Sequence, residues 1–440
     1  MYVVCILIKL DRMSKFLVIT NPSDGHVYPL IPIVSELVKS GHTVRWISGR
    51  VFKEKVEKTG AQYIQMHQKF DRGKVELYDF FPELKKLKGI AMVRFYWKYW
   101  VFSPVPYYVR QIEDVLQDYK ADAIIGDSLR NWAIFVTERG GPPFAMINVF
   151  PLIYPSKDTP PQGIGLLPGK SLISKTKESF LRFLVYKIVY KPNQDYCNLI
   201  RSELGLPKCK HFFLKEGWEK PSIVLQPTTP AFEYPRTDLP TTVHFIGPLL
   251  VSPDPDFVPP PWWDKIITSD KKIILINQGT VAKTIDNLIK PSIKALENED
   301  VIVIAIPVKE GQLNNIPSNT FVSEFIPFGN LLPYVDVVIT NGGYGGVQNA
   351  LSYGIPLVIA GATEDKMEVS ARVEYAKTGI NLRTNNPTPE QIIEAVRQIF
   401  SNPVYRKNAQ YIQNEFKKCN APFMAVKLLE EMVSTHENVV

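Results

Sequence analysis

The turn between Thr340 and Val347 constrains this chain more than any other stretch. Before it, Asp336-Val-Val-Ile-Thr340 is a short β-branched run, too brief for a helix, and reads as a buried strand. After it, residues 347–353 have helical character and are closed by Gly354 and Pro356. Asn341, Gly342, Gly343, Tyr344, Gly345 and Gly346 therefore form a strand-to-helix turn. Open α/β sheets bind ligands at such strand ends, and free N–H groups at a helix start attract phosphate. Glycine lets the backbone approach an anion closely, because no Cβ intervenes. The spacing is not G-x-G-x-x-G, so the dinucleotide fingerprint does not apply. From the residues alone two readings stay open, a diphosphate cradle or a tight turn without a ligand.

The same alternation of short apolar runs and helical stretches recurs along the chain. Residues 16–20, 43–48, 121–127 and 144–149 read as strands of a first unit, with a helical face at Leu30, Ile33, Val34, Leu37 and Val38. A second unit restarts at 272–277 and continues through 301–306, 320–323, 336–340 and 357–360. Between them, Ser252 to Trp262 is Pro-rich and fits a semi-rigid linker. At 440 residues the chain is too long for one ordinary core, so two domains are expected. The boundaries read as 13–250, a linker at 251–264, a second domain at 265–415, and a last helix at 416–440. A long amphipathic helix is expected near Ser179 to Lys191.

Composition narrows the function classes. A net charge of +7 without a Lys/Arg block is no nucleic-acid footprint. Residues 1–10 are apolar but too short to span a bilayer and lack a basic leading region; Met13 looks like a more natural start. The chain reads as cytoplasmic, with no transmembrane segment. Cys5, Cys197, Cys209 and Cys419 are scattered, match no zinc spacing and read as reduced thiols. Asp254 and Asp256 stand between prolines and read as a solvated turn; no metal site is expected.

Two polar residues fall at strand ends of the first unit. His26 follows the first strand, where it either caps the adjacent helix or does chemistry. Asp127 ends the strand 121–127, where its ordinary role would be a helix N-cap. The segment 69–109 is dense in aromatics, among them Phe81 and Trp97, which are core, the wall of a pocket for a flat apolar molecule, or both.

Phe325-Ile-Pro-Phe328, the Asn-Gly-Gly turn, Gly354-Ile-Pro-Leu357 and Glu364-Asp365-Lys366 resemble, in order and spacing, the donor-sugar signature of nucleotide-sugar-dependent glycosyltransferases of the GT-B fold. The similarity is to the soluble bacterial-type branch that glycosylates macrolides, flavonoids and similar acceptors. Gly25-His26, Pro29 and Gly41-His42-Thr43-Val44 match the family's amino-terminal motif. The resemblance implies two Rossmann-like α/β domains facing across a cleft, and an inverting, metal-independent transferase. The sugar, glucose from UDP-glucose, would pass to a hydroxyl of a small lipophilic acceptor, with no cofactor beyond the nucleotide sugar. It makes His26 the general base and Asp127 its orienting carboxylate, which fixes one tautomer and stabilises the imidazolium. It assigns donor contacts to Gly279, Thr280, Phe325, Ile326, Asn341, Gly343, Tyr344, Gly345, Gly346, Asn349, Asp365 and Lys366. Acceptor contacts fall to Phe81, Trp97, Trp132 and Phe150, and the protein is expected as a monomer or weak dimer. The sequence departs from the family at Asn341, where a His is usual, at Asn349, where a ribose-binding Glu is usual, at Gly345-Gly346 in place of Asn-Ser, and at Lys366 in place of Gln. Two other readings fit the fold: a nucleotide-sugar epimerase, and a non-catalytic carrier of lipophilic ligands.

Overall fold

In the computed structural model the described residues are 13–437 apart from 74, 76, 280–283, 310, 314 and 364. The chain forms two parallel sheets. The first contains β1 (Lys15–Ile19), β2 (Thr43–Ser48), β3 (Gln62–Gln65), β4 (Ala123–Asp127), β5 (Phe144–Ile147), β6 (Ile223–Gln226) and β7 (Val243–Phe245) in the order β3-β2-β1-β4-β5-β6-β7. The second contains β8 (Lys272–Asn277), β9 (Val301–Ile306), β10 (Thr320–Val322), β11 (Val337–Thr340), β12 (Leu357–Ile359) and β13 (Gly379–Asn381) in the order β10-β9-β8-β11-β12-β13. Each sheet is sandwiched between two apolar layers, as an all-parallel sheet requires. In each, strand order reverses once, between β1 and β4 and between β8 and β11. At those points the loops leave in opposite directions and open a crevice at the carboxyl ends of the strands. The two crevices fall at His26 with Asp127, and at Gly279 with Asn341.

The aromatic segment is mostly helical. Gly89–Phe95 runs on into a π-helical stretch, Tyr96–Phe102, and then Val105–Asp118. The amphipathic helix expected near Ser179 begins earlier, at Leu172, because the Ser171 side chain caps it by accepting the Ser174 N–H. Cys197 and Cys209, far from adjacent in sequence, bring their sulfurs to 3.9 Å as free thiols.

The chain passes between the two units twice. Helix Val404–Lys417 packs on the second sheet through Ala409, Ile412 and Phe416. The crossing helix is Ala421–Glu437, which lays Ala425, Val426, Leu429 and Val433 into the core beneath the first sheet. It therefore begins after Phe416, which is committed to the second core. Glu430 meets His42 Nε2 at 2.9 Å, and the other ring nitrogen of His42 accepts the Ser14 N–H at 3.1 Å. His42 thus has a structural role, as its place at a turn suggests. The outgoing passage starts at Gly247, whose φ is +86°; a Cβ there would stand 2.2 Å from Cys419 Cβ on the returning passage. Both passages therefore run side by side.

Candidate active site

The first crevice holds an imidazole–carboxylate pair. His26 sits in the short helix Asp24–Val27 directly after β1, and Asp127 is the last residue of β4, the strand hydrogen-bonded to β1. Residues 101 positions apart thus meet at 2.8 Å, from His26 Nδ1 to Asp127 Oδ1. The Asp127 carboxylate is fully buried and also accepts the N–H groups of Leu129 and Asn21. Burial pushes its pKa up. The charge and hydrogen bond of His26, the nearby Arg130 and the Asn21 N–H outweigh that and hold it below the ordinary carboxylate value. An ionised acceptor on Nδ1 fixes the tautomer: Nδ1 carries the hydrogen and Nε2 has the lone pair. Arg130, itself 1% exposed, completes the cluster by donating to Asn21 Oδ1 at 2.9 Å and stacking over Tyr108 at 4.8 Å. Nothing in the local pattern singled out Arg130, since its role depends on β1 and β4 lying side by side.

The second crevice holds the glycine turn. Gly342 has φ +84°, and a Cβ there would meet Ile359 Cγ2 at 2.8 Å, so only glycine fits. Gly343 is the N-cap of helix Tyr344–Ser352, and no side chain caps it. The first N–H groups of a helix have no partner within it. A Cβ added at Gly343 or Gly345 would meet nothing within 4 Å. Uncapped amides thus border open space at the positive end of a helix dipole, which suits an anion. Asn341 does not face that space alone: its Nδ2 donates to the Gln278 carbonyl and ties the turn to the loop after β8. Gly279, in that loop, has φ +73° and lies against the Asn341 amide. Thr280 lies outside the described residues.

Other expected donor residues separate into exposed and committed groups. Phe325 is 73% exposed, whereas Ile326 beside it is buried in the second core. Asp365 and Lys366 stand at the start of helix Lys366–Tyr375, next to the turn: a Cβ on Gly361 would touch both the Asn341 carbonyl and Lys366 Cβ. Tyr344 points its ring across the interface, where its hydroxyl is 3.4 Å from Gln226 Nε2 of the first unit. Burial, followed by the Glu233 charge, raises its pKa far above the usual phenol value, so it stays neutral. Asn349 is buried and bonded inside the protein: Oδ1 accepts the Val251 N–H at 3.1 Å, and Nδ2 donates to the Gly345 carbonyl at 2.8 Å. Its amide fastens the linker to the glycine helix.

Among the expected acceptor residues, Phe150 alone adjoins the imidazole, edge-on to His26 at 5.3 Å. Trp132 is 2% exposed and stacks on Tyr108. Phe81 packs against Phe80, Phe95 and Trp100, and Trp97 against Phe102, Tyr190 and Phe213. Trp97 and Trp132 border a void of ≈ 30 Å³, room for about one water. Trp132 is therefore core, whereas Phe81 and Trp97 are half-buried and pack against the margin of the first core. Among the described residues no cluster of His, Cys, Asp or Glu could hold a metal ion, and no helix is long and apolar enough to cross a membrane.

Residues 289–432 match the family described as the C-terminal domain of erythromycin biosynthesis protein CIII-like proteins. 4'-Demethylrebeccamycin synthase of Lentzea aerocolonigenes is 36% identical over 96% of this chain and 100% of its own length. UDP-glycosyltransferase 2 of Phaeomoniella chlamydospora is 30% identical over 91% of both chains. Among solved structures, the glycotransferase of kitacinnamycin superposes with a TM-score of 0.72 at 18% identity, over 96% of this chain and 99% of that one. The glycosyltransferase VinC, in complex with DTDP, gives 0.66 at 17% identity, over 96% and 100%.

Proposed function

This chain belongs to the glycosyltransferases and has their GT-B fold, and on that footing we propose that it is an inverting, metal-independent transferase that moves glucose from UDP-glucose to a hydroxyl of a small lipophilic compound. The observation that carries the reading is the His26–Asp127 pair at one crevice, with an uncapped glycine helix at the other. The acceptor hydroxyl is a poor nucleophile near neutral pH. His26 Nε2 takes its proton as the oxygen bonds to the anomeric carbon, and Asp127 stabilises the imidazolium that results. The bond from that carbon to the diphosphate oxygen breaks on the opposite face. The negative charge that develops on the diphosphate falls on the amides that open helix Tyr344–Ser352, aided by its dipole. Exposed Phe325 offers a face for the nucleobase, and Asp365 with Lys366 the contacts to the sugar. Relatives named as UDP-glycosyltransferases support the uridine donor.

The test is nucleotide release from UDP-glucose with a panel of phenols, macrolides and sterols, in the parent, His26→Ala and Asp127→Asn. His26→Ala is expected to lose about a hundredfold to ten-thousandfold in kcat. A parent that releases no nucleotide with any acceptor would leave the carrier reading; an altered sugar nucleotide would mark an epimerase. Turnover is expected to survive EDTA, and its loss would reveal a required metal ion.

A further inference from the structure

A buried polar cluster joins the two units beside the proposed site. Arg372, on helix Lys366–Tyr375, is 1% exposed. Its Nε donates to Glu233 Oε2 at 2.8 Å, its Nη2 to the Leu152 carbonyl at 2.8 Å, and its Nη1 to Glu368 Oε2 at 3.1 Å and to the Glu368 carbonyl at 2.9 Å. The guanidinium also lies over the Tyr234 ring at 4.7 Å. Glu233 and Leu152 belong to the first unit, and the other oxygen of Glu233 accepts the Leu152 N–H at 2.7 Å. Leu152 is therefore gripped at both backbone groups: Glu233 holds its N–H, and its carbonyl accepts from Arg372 across the interface and from Arg236 Nη2 of its own unit at 2.6 Å. Two residues earlier comes Phe150, whose ring edge meets His26. Glu368 extends the grip, since its Oε1 accepts the N–H groups of Gly163 and Gly165 in the same first-unit segment.

We propose that Arg372 is a positioning residue for sugar transfer: it fastens the helix that begins at Asp365 and Lys366 to Leu152, and so sets through Phe150 how His26 meets the sugar. The inference rests on the transferase reading above. Its geometry explains why an arginine stands here. A planar fork reaches two carboxylates and a carbonyl in fixed directions, which a single ammonium cannot do. The cluster adds geometric control at a point where displacement of about 1 Å costs around a hundredfold in rate.

The experiment measures nucleotide release from UDP-glucose with the best phenol of the panel, in the parent, His26→Ala, Arg372→Lys and Phe150→Leu, with donor affinity by calorimetry and Tm alongside. Arg372→Lys is expected to lower kcat about tenfold to a hundredfold, with donor affinity within about twofold of the parent. Phe150→Leu leaves the ion cluster whole and is expected to lower kcat in the same way, so it decides the matter should Arg372→Lys not fold. Parental kcat in a folded Arg372→Lys, or in Phe150→Leu if the lysine variant fails to fold, overturns the positioning role even if Tm falls. An inactive parent, or an active His26→Ala, overturns the transferase reading itself, and the two failures are told apart in one data set.

Discussion

At the scale of the residue, Asp127 has two tasks that pull on its ionisation in the same direction. It fixes the His26 tautomer and balances the buried Arg130 nearby. Its pKa is depressed in the folded chain, so its ionised form contributes stability above the unfolded carboxylate value of about 4. That contribution is lost as the pH falls through the folded value. Asp127→Asn strands Arg130 without its counter-charge. The Tm gap between parent and variant is therefore expected to be flat near neutrality and to shrink below about pH 4, which thermal melts across pH would check. A gap that widens in acid would contradict the assignment. His26 and Asp127 were legible in the sequence because each follows or ends a recognisable apolar run. Glu233 and Arg372, 139 positions apart, carry no such mark, and only the docking of two units brings them together.

At the scale of the element, the glycine turn makes two separable demands. Gly342 is fixed by the fold, and Gly343, on the proposed reading, by the donor diphosphate. Gly342→Ala forces a Cβ against Ile359 at a left-handed φ and is expected to lower stability by about 1–3 kcal/mol. Gly343→Val places its side chain in open space and is expected to fold normally yet lose donor binding. Chemical denaturation and donor calorimetry on the same two proteins would separate these effects, and normal donor affinity in Gly343→Val would refute the cradle. Central strands were read from sequence almost to the residue: β2, β8 and β9 lie at 43–48, 272–277 and 301–306. The edge strands β3, β7 and β13 escaped notice, and so did β6 beside β7. Gln62–Gln65 carries a glutamine at each end, and Gly379–Asn381 is only three residues long, so neither offers the continuous apolar run of a strand buried on both faces. The aromatic segment was legible as core, pocket wall or both, and which rings are buried could not be read there, because burial depends on packing between elements distant in sequence.

At the scale of the whole molecule, the second unit is inserted between parts of the first, since the last helix returns beneath the opening sheet. Leu429→Ala on that helix removes a fully buried side chain and is expected to cost about 2–5 kcal/mol in denaturant unfolding. A smaller loss would show that the returning helix is dispensable to the first core. The close approach of Gly247 and Cys419 has a mechanical consequence. A body held by two well-separated cords can only sway, whereas one whose cords run together at a common pin swings like a door. Any opening that admits a sugar nucleotide would then turn about that pin, and would have to part Arg372 from Glu233.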